Sequence, residues 1–466
     1  MQTKYEAVLS RQYDILKKAS GIDYTMFQKG RIIFDYNGLM ATVPYAISEV
    51  AEIQSRFKVG NTPLYELTNM TKVVRSTSKS GFGARILLKD EACNASGSFK
   101  ARRASLVTYE AKRLGYKGIV AGTSGNYGAA IAAMANMNNI KAIILQEVYD
   151  SNMIGQPEIL EKGRLCMSYG AEVIQLTIGP ELFYMNLLTL EETGYYNGSL
   201  YVPAAIIGIE TLGYEIGTEC VERFGKAPDA VLITNAGGGN VTGTTRGLLK
   251  AGCADTKIIG ASVDLKGLHM ASDNDFNKKS FTTGHTGFAI PFLQNPDRTD
   301  VPKNASRPLR HLDRFLTISQ GEVFYATEML AQIESLERGP AGNTSLAAAI
   351  SVAREMPEDQ ILVVQETEYT GAGKHPTSQL TFARERGIEI KRGDPDDNVP
   401  GKTIVIPETI AQIQTHDVDL DNIRKSYLKH VLKGIDIDSV TQEELGYLAE
   451  ETNTDKAVIS EWIHQL

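Results

Sequence analysis

Cysteine is scarce and scattered. The four cysteines, Cys93, Cys166, Cys220 and Cys253, form no CxxC pair and have no histidine at zinc-ligand spacing, which argues against a disulfide framework and against a zinc site. No stretch approaches the ~18 to 20 apolar residues that a membrane-spanning helix needs. The opening residues, MQTKYEAVLSRQYDILKKAS, lack the apolar core of a secretion signal, so a cytoplasmic protein is expected. Positive charge is not in excess: 48 Lys and Arg stand against 56 Asp and Glu, a net charge of -8. Nucleic acid and anionic membrane therefore find no bulk attraction, and any anionic ligand must be met locally. Internal repeats and low-complexity tracts are missing as well. With 466 residues, 42% of them hydrophobic, the chain can bury two or three domain-sized cores.

What is present is alternation. Short apolar runs, KGIVAGT, IKAIILQ, AEVIQL, DAVLITN, KIIGASVD and QILVVQET, are interleaved with helical patterns, which predicts an α/β fold with mainly parallel strands. Ligands of such sheets sit at the carboxyl ends of the strands, and the glycine-bearing loops here follow the apolar runs. Residues 1–59 read as a helical N-terminal extension. RGDPDDNVPGK, after residue 391, reads as a linker or an ordered loop. Beyond it Ile423, Tyr427, Leu428, Val431 and Leu432 keep helical spacing, and Thr441 with Glu444 has the form of a capping box. Packing of this tail on the chain's own body is the favoured reading.

Three motifs carry chemistry. In ASGSFKARRA, residues 95–104, Lys100 falls in the first turn of a predicted helix, with Ser98 or a neighbour as its cap. The positive end of the helix dipole and two following arginines disfavour an ammonium there, and a lysine with a lowered pKa can form a Schiff base with an aldehyde. In GTSGNYG, residues 122–128, small residues let the backbone approach a planar ligand while Asn126 offers an amide donor. In NAGGGNVTG, residues 235–243, a glycine run opens a helix, and its backbone N–H groups can cradle a phosphate. Gly237, Gly238, Gly239 and Asn240 are the cradle candidates, with Thr242 as an added hydroxyl. A dinucleotide fingerprint fails, because Thr242 occupies the third glycine position.

Together these motifs describe a pyridoxal phosphate site. GNTPL at Gly60, GSFKARRA, GTSGNYG, YGAEVI at Tyr169, GIETLGYEI at Gly208 and NAGGGNVTG resemble, in order, the tryptophan-synthase-β-like or fold-type II family of pyridoxal-phosphate enzymes. The resemblance implies two α/β domains with the cofactor between them: a catalytic body over 60–393, with a smaller subdomain at about 100–205 inserted in the larger one, and an extension over 394–466. It implies Lys100 as the Schiff-base lysine, Asn126 on the cofactor's 3′ oxygen and the Gly237–Asn240 loop on its phosphate. Thr123, Ser124 and Gly125 would face the substrate carboxylate. Thr367, with Thr370 behind it, would face the pyridine nitrogen. Arg103 departs from the family pattern, standing where many relatives carry glycine.

Within the family, the texture of KDEACNASGSFKARRAS, GPELFY, LEETGY and GIETLGYEI is most similar to catalytic subunits that cleave 2-amino-4-oxopentanoate with coenzyme A in ornithine breakdown. This implies acetyl-CoA and alanine as products, a small α subunit as partner, and dimerisation of the chain. A β-elimination or β-replacement enzyme of threonine-synthase-like or ammonia-lyase-like type is the alternative reading. A non-catalytic nucleotide-binding module is a further one. The stretch from Arg298 to Arg314, with five Lys or Arg against two Asp, is the candidate surface for the phosphates of coenzyme A, through Arg307 and Arg310.

Overall fold

The computed structural model describes residues 4–123, 125–179, 181–267, 273–282, 286–369 and 376–465. The chain lays down β1 (Leu64–Glu66) and β2 (Arg85–Asp90), then leaves to build a second sheet from β3 (Gly118–Thr123), β4 (Lys141–Tyr149), β5 (Glu172–Thr177) and β6 (Tyr196–Asn197). It returns with β7 (Ala230–Thr234), β8 (Lys257–Val263), β9 (Arg314–Ile318) and β10 (Ile361–Glu366). The parallel pair β11 (Glu389–Arg392) and β12 (Thr403–Ile406) follows, then β13 (His416–Asp417). The seven-stranded sheet has the order β1-β2-β10-β7-β8-β9-β13, and the four-stranded sheet the order β5-β4-β3-β6. Only β1 and β13 pair antiparallel, at the two edges of the large sheet.

The apolar runs explain this arrangement. Every residue of β10 is buried, and β7 and β8 are buried along nearly their whole length, as expected for parallel strands covered by helices on both faces. The Pro203–Phe224 helix starts with proline in its first turn and stops at Gly225 in the left-handed conformation. It packs tightly on the Gly239–Lys250 helix. A Cβ at Gly213 would overlap the carbonyl of Thr244, and one at Gly247 would overlap that of Glu210, so backbone meets backbone at this crossing.

The ends of the chain belong to the same cores. Tyr24, Phe34, Leu39, Val50 and Phe57 pack in one cluster with Ile119, Ile131 and Ile144 of the four-stranded sheet and its helix. Tyr427, Leu428, Leu448 and Ile459 of the last three helices pack with Val231 and Val363 of the large sheet. Each such side chain contributes about 1.5 to 3 kcal/mol when fully buried, so the tail is fixed to the body as its apolar spacing suggested. Thr441 and Glu444 form the reciprocal cap, each side chain accepting from the other's backbone N–H at 3.2 and 2.8 Å. RGDPDDNVPGK is an ordered connection between β11 and β12. Among the described residues no helix is long and apolar enough to cross a membrane.

Candidate active site

The segment before Lys100 is tied to the end of β10. Phe99 N–H donates to the Thr367 carbonyl at 3.0 Å, Tyr369 N–H donates to the Gly97 carbonyl at 2.7 Å, and Ser98 bridges Glu368. This pairing holds Ser98 extended, so the Lys100–Arg113 helix starts from Phe99 without a side-chain cap. The expected Ser98 cap is absent for that reason. Lys100 lies over the Phe99 ring, Nζ 4.4 Å from its centroid. Burial first, then the charges of Arg103 and Lys162, hold its ammonium well below the ordinary lysine value.

The two arginines that follow have different fates. Residues three apart share a helix face, so Arg103 lies on the side of Lys100. Arg102 turns away into ion pairs with Glu91 at 2.6 Å and Glu215 at 2.8 Å. Only Arg103 of the two depresses Lys100. Lys162, on the Pro157–Ser168 helix, is the cation that reading the sequence missed. It is buried and paired with Glu158 at 2.6 Å, and its stem crosses Gly125 so closely that a Cβ there would overlap it. A cleft of about 250 Å³ opens beside these groups, lined by Ser96, Gly97, Lys162, Tyr169 and Tyr369 among others.

The turn after β3 brings Asn126 to the same place. The Thr123 hydroxyl accepts from the Gly125 and Gly128 N–H groups at 2.9 and 3.3 Å, which fixes the start of the Asn126–Met137 helix. Asn126 Nδ2 donates to Glu368 Oε2 at 2.8 Å, and Asn126 Oδ1 is buried without a hydrogen-bond partner. Glu366 and Glu368 were not foreseen, although Glu366 stands in the run QILVVQET and Glu368 directly follows it. Burial and the neighbouring Glu368 push the Glu366 carboxyl well above the usual range. Alternate residues of an extended chain face opposite ways, so Glu366 and Glu368 share one side and Thr367 takes the other. Thr367 is buried, and it is Glu368 that reaches Asn126. Ser124 and Thr370 lie outside the described residues.

Behind β7 the glycine loop turns into the Gly239–Lys250 helix, with Gly238 at φ +78°. No side chain fits on it: a Cβ on Gly237 would overlap the Tyr201 hydroxyl and one on Gly238 would overlap Pro308. Asn240 Nδ2 is buried without a partner. Thr242 is spent within the loop, donating to the Gly238 carbonyl at 3.2 Å and accepting from Arg307 N–H at 3.1 Å.

The basic stretch from Arg298 to Arg314 is not a free cationic surface. Arg307 is 5% exposed and paired with Asp297 at 2.8 Å and Glu451 at 3.5 Å. Arg310 is paired with Glu451 at 2.5 Å and with Glu450. The sequence spacing put five cations on one segment, but acidic residues of a distant helix neutralise two of them. Both arginines are structural.

A lysine with a lowered pKa, a glycine cradle at a helix start and an asparagine loop thus converge around the ends of β3, β7 and β10. A family described as pyridoxal-phosphate dependent enzyme matches residues 56–366. The chain belongs to that family. It is 61% identical, over 100% of its length and 98% of the other's, to a 2-amino-4-ketopentanoate thiolase beta subunit from an unknown prokaryotic organism. It is 54% identical, over 99% and 98%, to the protein of the same name from Acetoanaerobium sticklandii. A crystal structure of O-ureido-L-serine synthase superposes with a TM-score of 0.52 at 20% identity, covering 68% of this chain and 91% of that one, which establishes the shared fold. The residues fit the cofactor. The cradle offers backbone donors, Asn240 Nδ2 is a buried donor still lacking a partner, and Asn126 Nδ2, which gives one N–H to Glu368, has a second N–H for an acceptor.

Proposed function

We propose that the chain is the catalytic β subunit of a thiolase that cleaves 2-amino-4-oxopentanoate with coenzyme A, giving acetyl-CoA and alanine in ornithine breakdown. The observation that carries this reading is the likeness to two thiolase beta subunits along the whole chain, at 61% and 54% identity. The fold-level likeness to the synthase stops at 68% of the chain. A small α subunit is the proposed partner, in keeping with the name those relatives carry. A dimer of the chain and a cytoplasmic location complete the proposal, with a catalytic body at 60–393 that holds the smaller subdomain at about 100–205.

In this reading Lys100 holds the cofactor and, once released, takes the α-proton of the substrate at Nζ. Its depressed pKa supports the role, because an amine has to be neutral to act as base. The N–H groups of Gly237 to Asn240 bind the phosphate, and Asn126 binds the ring's 3′ oxygen. Thr123, Ser124 and Gly125 orient the substrate carboxylate. Thr367 is proposed for the pyridine nitrogen. The coenzyme A thiolate adds to the C4 carbonyl, the C3–C4 bond breaks, the acetyl group leaves on sulfur, C3 takes up a proton to become the methyl of alanine, and the α carbon recovers the proton held at Lys100 Nζ. Pyridoxal phosphate, when bound, supplies the electron sink for the carbanion at C3.

The test is acetyl-CoA release by the purified chain together with its α subunit, with 2-amino-4-oxopentanoate and with or without coenzyme A. Acetyl-CoA and alanine in equal amounts, formed only with coenzyme A, are expected. Ammonia released without coenzyme A would replace this reading with an elimination enzyme.

A further inference from the structure

Among the described residues Arg103 is a buried cation without a counter-ion. It is 2% exposed, yet among the described residues it makes no ion pair. Its one acceptor among the described residues is the Leu200 carbonyl, 2.8 Å from one terminal nitrogen, and its Nε has no hydrogen-bond partner there. Burial pulls its pKa down to about 10. Arg102, next in the chain, shows the usual solution for a buried arginine, with two carboxylates around it. Burying a charge without an opposite charge is costly, so the missing partner of Arg103 calls for an explanation.

Its position supplies one. The terminal nitrogens of Arg103 lie 2.7 and 2.9 Å from where a Cβ of Gly239 would stand. Gly239 is the first residue of its helix, and Cα–Cβ bonds of a helix tilt toward its N-terminus. The guanidinium therefore sits beside the open end of the helix, where the N–H groups of the glycine loop converge. Any side chain at 239 would collide with it.

We infer that Arg103 is a phosphate-binding residue, adding a charged fork to the backbone cradle and gripping the phosphate of the cofactor. The inference rests on the pyridoxal-phosphate reading and goes beyond it, since the cradle alone offers only neutral N–H donors. Guanidinium matches a phosphate in geometry and charge, and a phosphate dianion supplies the missing counter-ion. The same bound anion screens Lys100, three residues away on the same helix face, from Arg103.

The experiment separates phosphate from ring. The full-length chain is stripped of cofactor and titrated with pyridoxal 5′-phosphate and, separately, with pyridoxal, following visible absorption, for the wild type and Arg103→Gln. The dissociation constant for pyridoxal 5′-phosphate is expected to rise about ten- to a hundred-fold, as for loss of a charged hydrogen bond, while that for pyridoxal stays unchanged. Equal weakening of both compounds, or of neither, would overturn the inference. Arg103→Gly provides a second arm: added guanidinium should restore affinity for pyridoxal 5′-phosphate and leave that for pyridoxal alone, and no such selective rescue counts against the assignment. A wild type that binds neither compound would overturn the cofactor reading and the inference with it.

Discussion

Glu91 anchors the start of the Lys100 helix, and its removal has a cost that can be worked out. The side chain is fully buried and accepts four hydrogen bonds: from Thr62 Oγ1 at 2.6 Å, Asn94 Nδ2 at 2.8 Å, and Arg102 Nε and Nη2 at 2.6 and 2.8 Å. Glu91→Ala removes the acceptor of the Thr62 hydroxyl, leaves Asn94 Nδ2 only the backbone carbonyl of residue 91 at 3.0 Å, and halves the countercharge of Arg102, which keeps Glu215 at 2.8 Å. Breaking a buried ion pair costs about 3 to 5 kcal/mol; because Glu215 remains, the lower end, about 3 to 4 kcal/mol, is expected. The assay is hydrogen exchange at the amides of residues 101–105, which reads the local opening energy without requiring two-state unfolding of the whole chain. Glu91→Leu with Arg102→Met removes both charges and should cost well under the sum of the single variants. A loss below about 1 kcal/mol for Glu91→Ala, or strict additivity in the double variant, would refute the network argument.

Borohydride reduction of the pyridoxal-phosphate-loaded chain should fix the label on the peptide containing Lys100, and Lys100→Ala should lose it; a label elsewhere would move the Schiff base to another lysine. Burial alone would raise the Glu215 carboxyl, but Arg102 and Lys89 pull it down to about 2. A depressed carboxyl stabilises the fold fully above its unfolded pKa and loses that contribution as pH falls through the folded value. Stability should therefore decline between about pH 4.5 and 2 in the wild type, and this part of the decline should vanish in Glu215→Gln; an unchanged pH profile would contradict it. Arg310→Ala should lower stability by about 3 kcal/mol, since its partner Glu451 is itself buried, and leave the apparent affinity for coenzyme A unchanged. A coenzyme A defect at unchanged stability would restore the surface reading.

Apolar runs and glycine loops act locally, and so they were legible. The runs of β3, β4, β7, β8 and β10, alternating with helical patterns, argue for mainly parallel strands, and a glycine run directly after one of them has backbone donors to offer whatever surrounds it. Lys100, Asn126 and the Gly237–Asn240 loop were singled out on that basis, and the fold brings all three to one region. The tail's apolar spacing likewise needs only a partner, and the large sheet provides it.

Pairing between distant segments had no such signal. That Glu368 meets Asn126, 242 residues earlier, depends on β10 lying between β2 and β7. Lys162 reaches the site because its helix packs across Gly125. Arg307 and Arg310 looked available because Glu451, at the far end of the chain, could not be seen beside them. Arg102 and Arg103 are adjacent in sequence and equal in charge, yet one is saturated by carboxylates and the other has none among the described residues. Composition and local pattern determine which segments become strands, helices and loops, because hydrogen bonding and burial along one element depend on its own residues. Which charges are neutralised, and which remain for a ligand, depends on what the tertiary structure places within a few ångströms of them, because charge interactions inside a protein are decided by distance and burial.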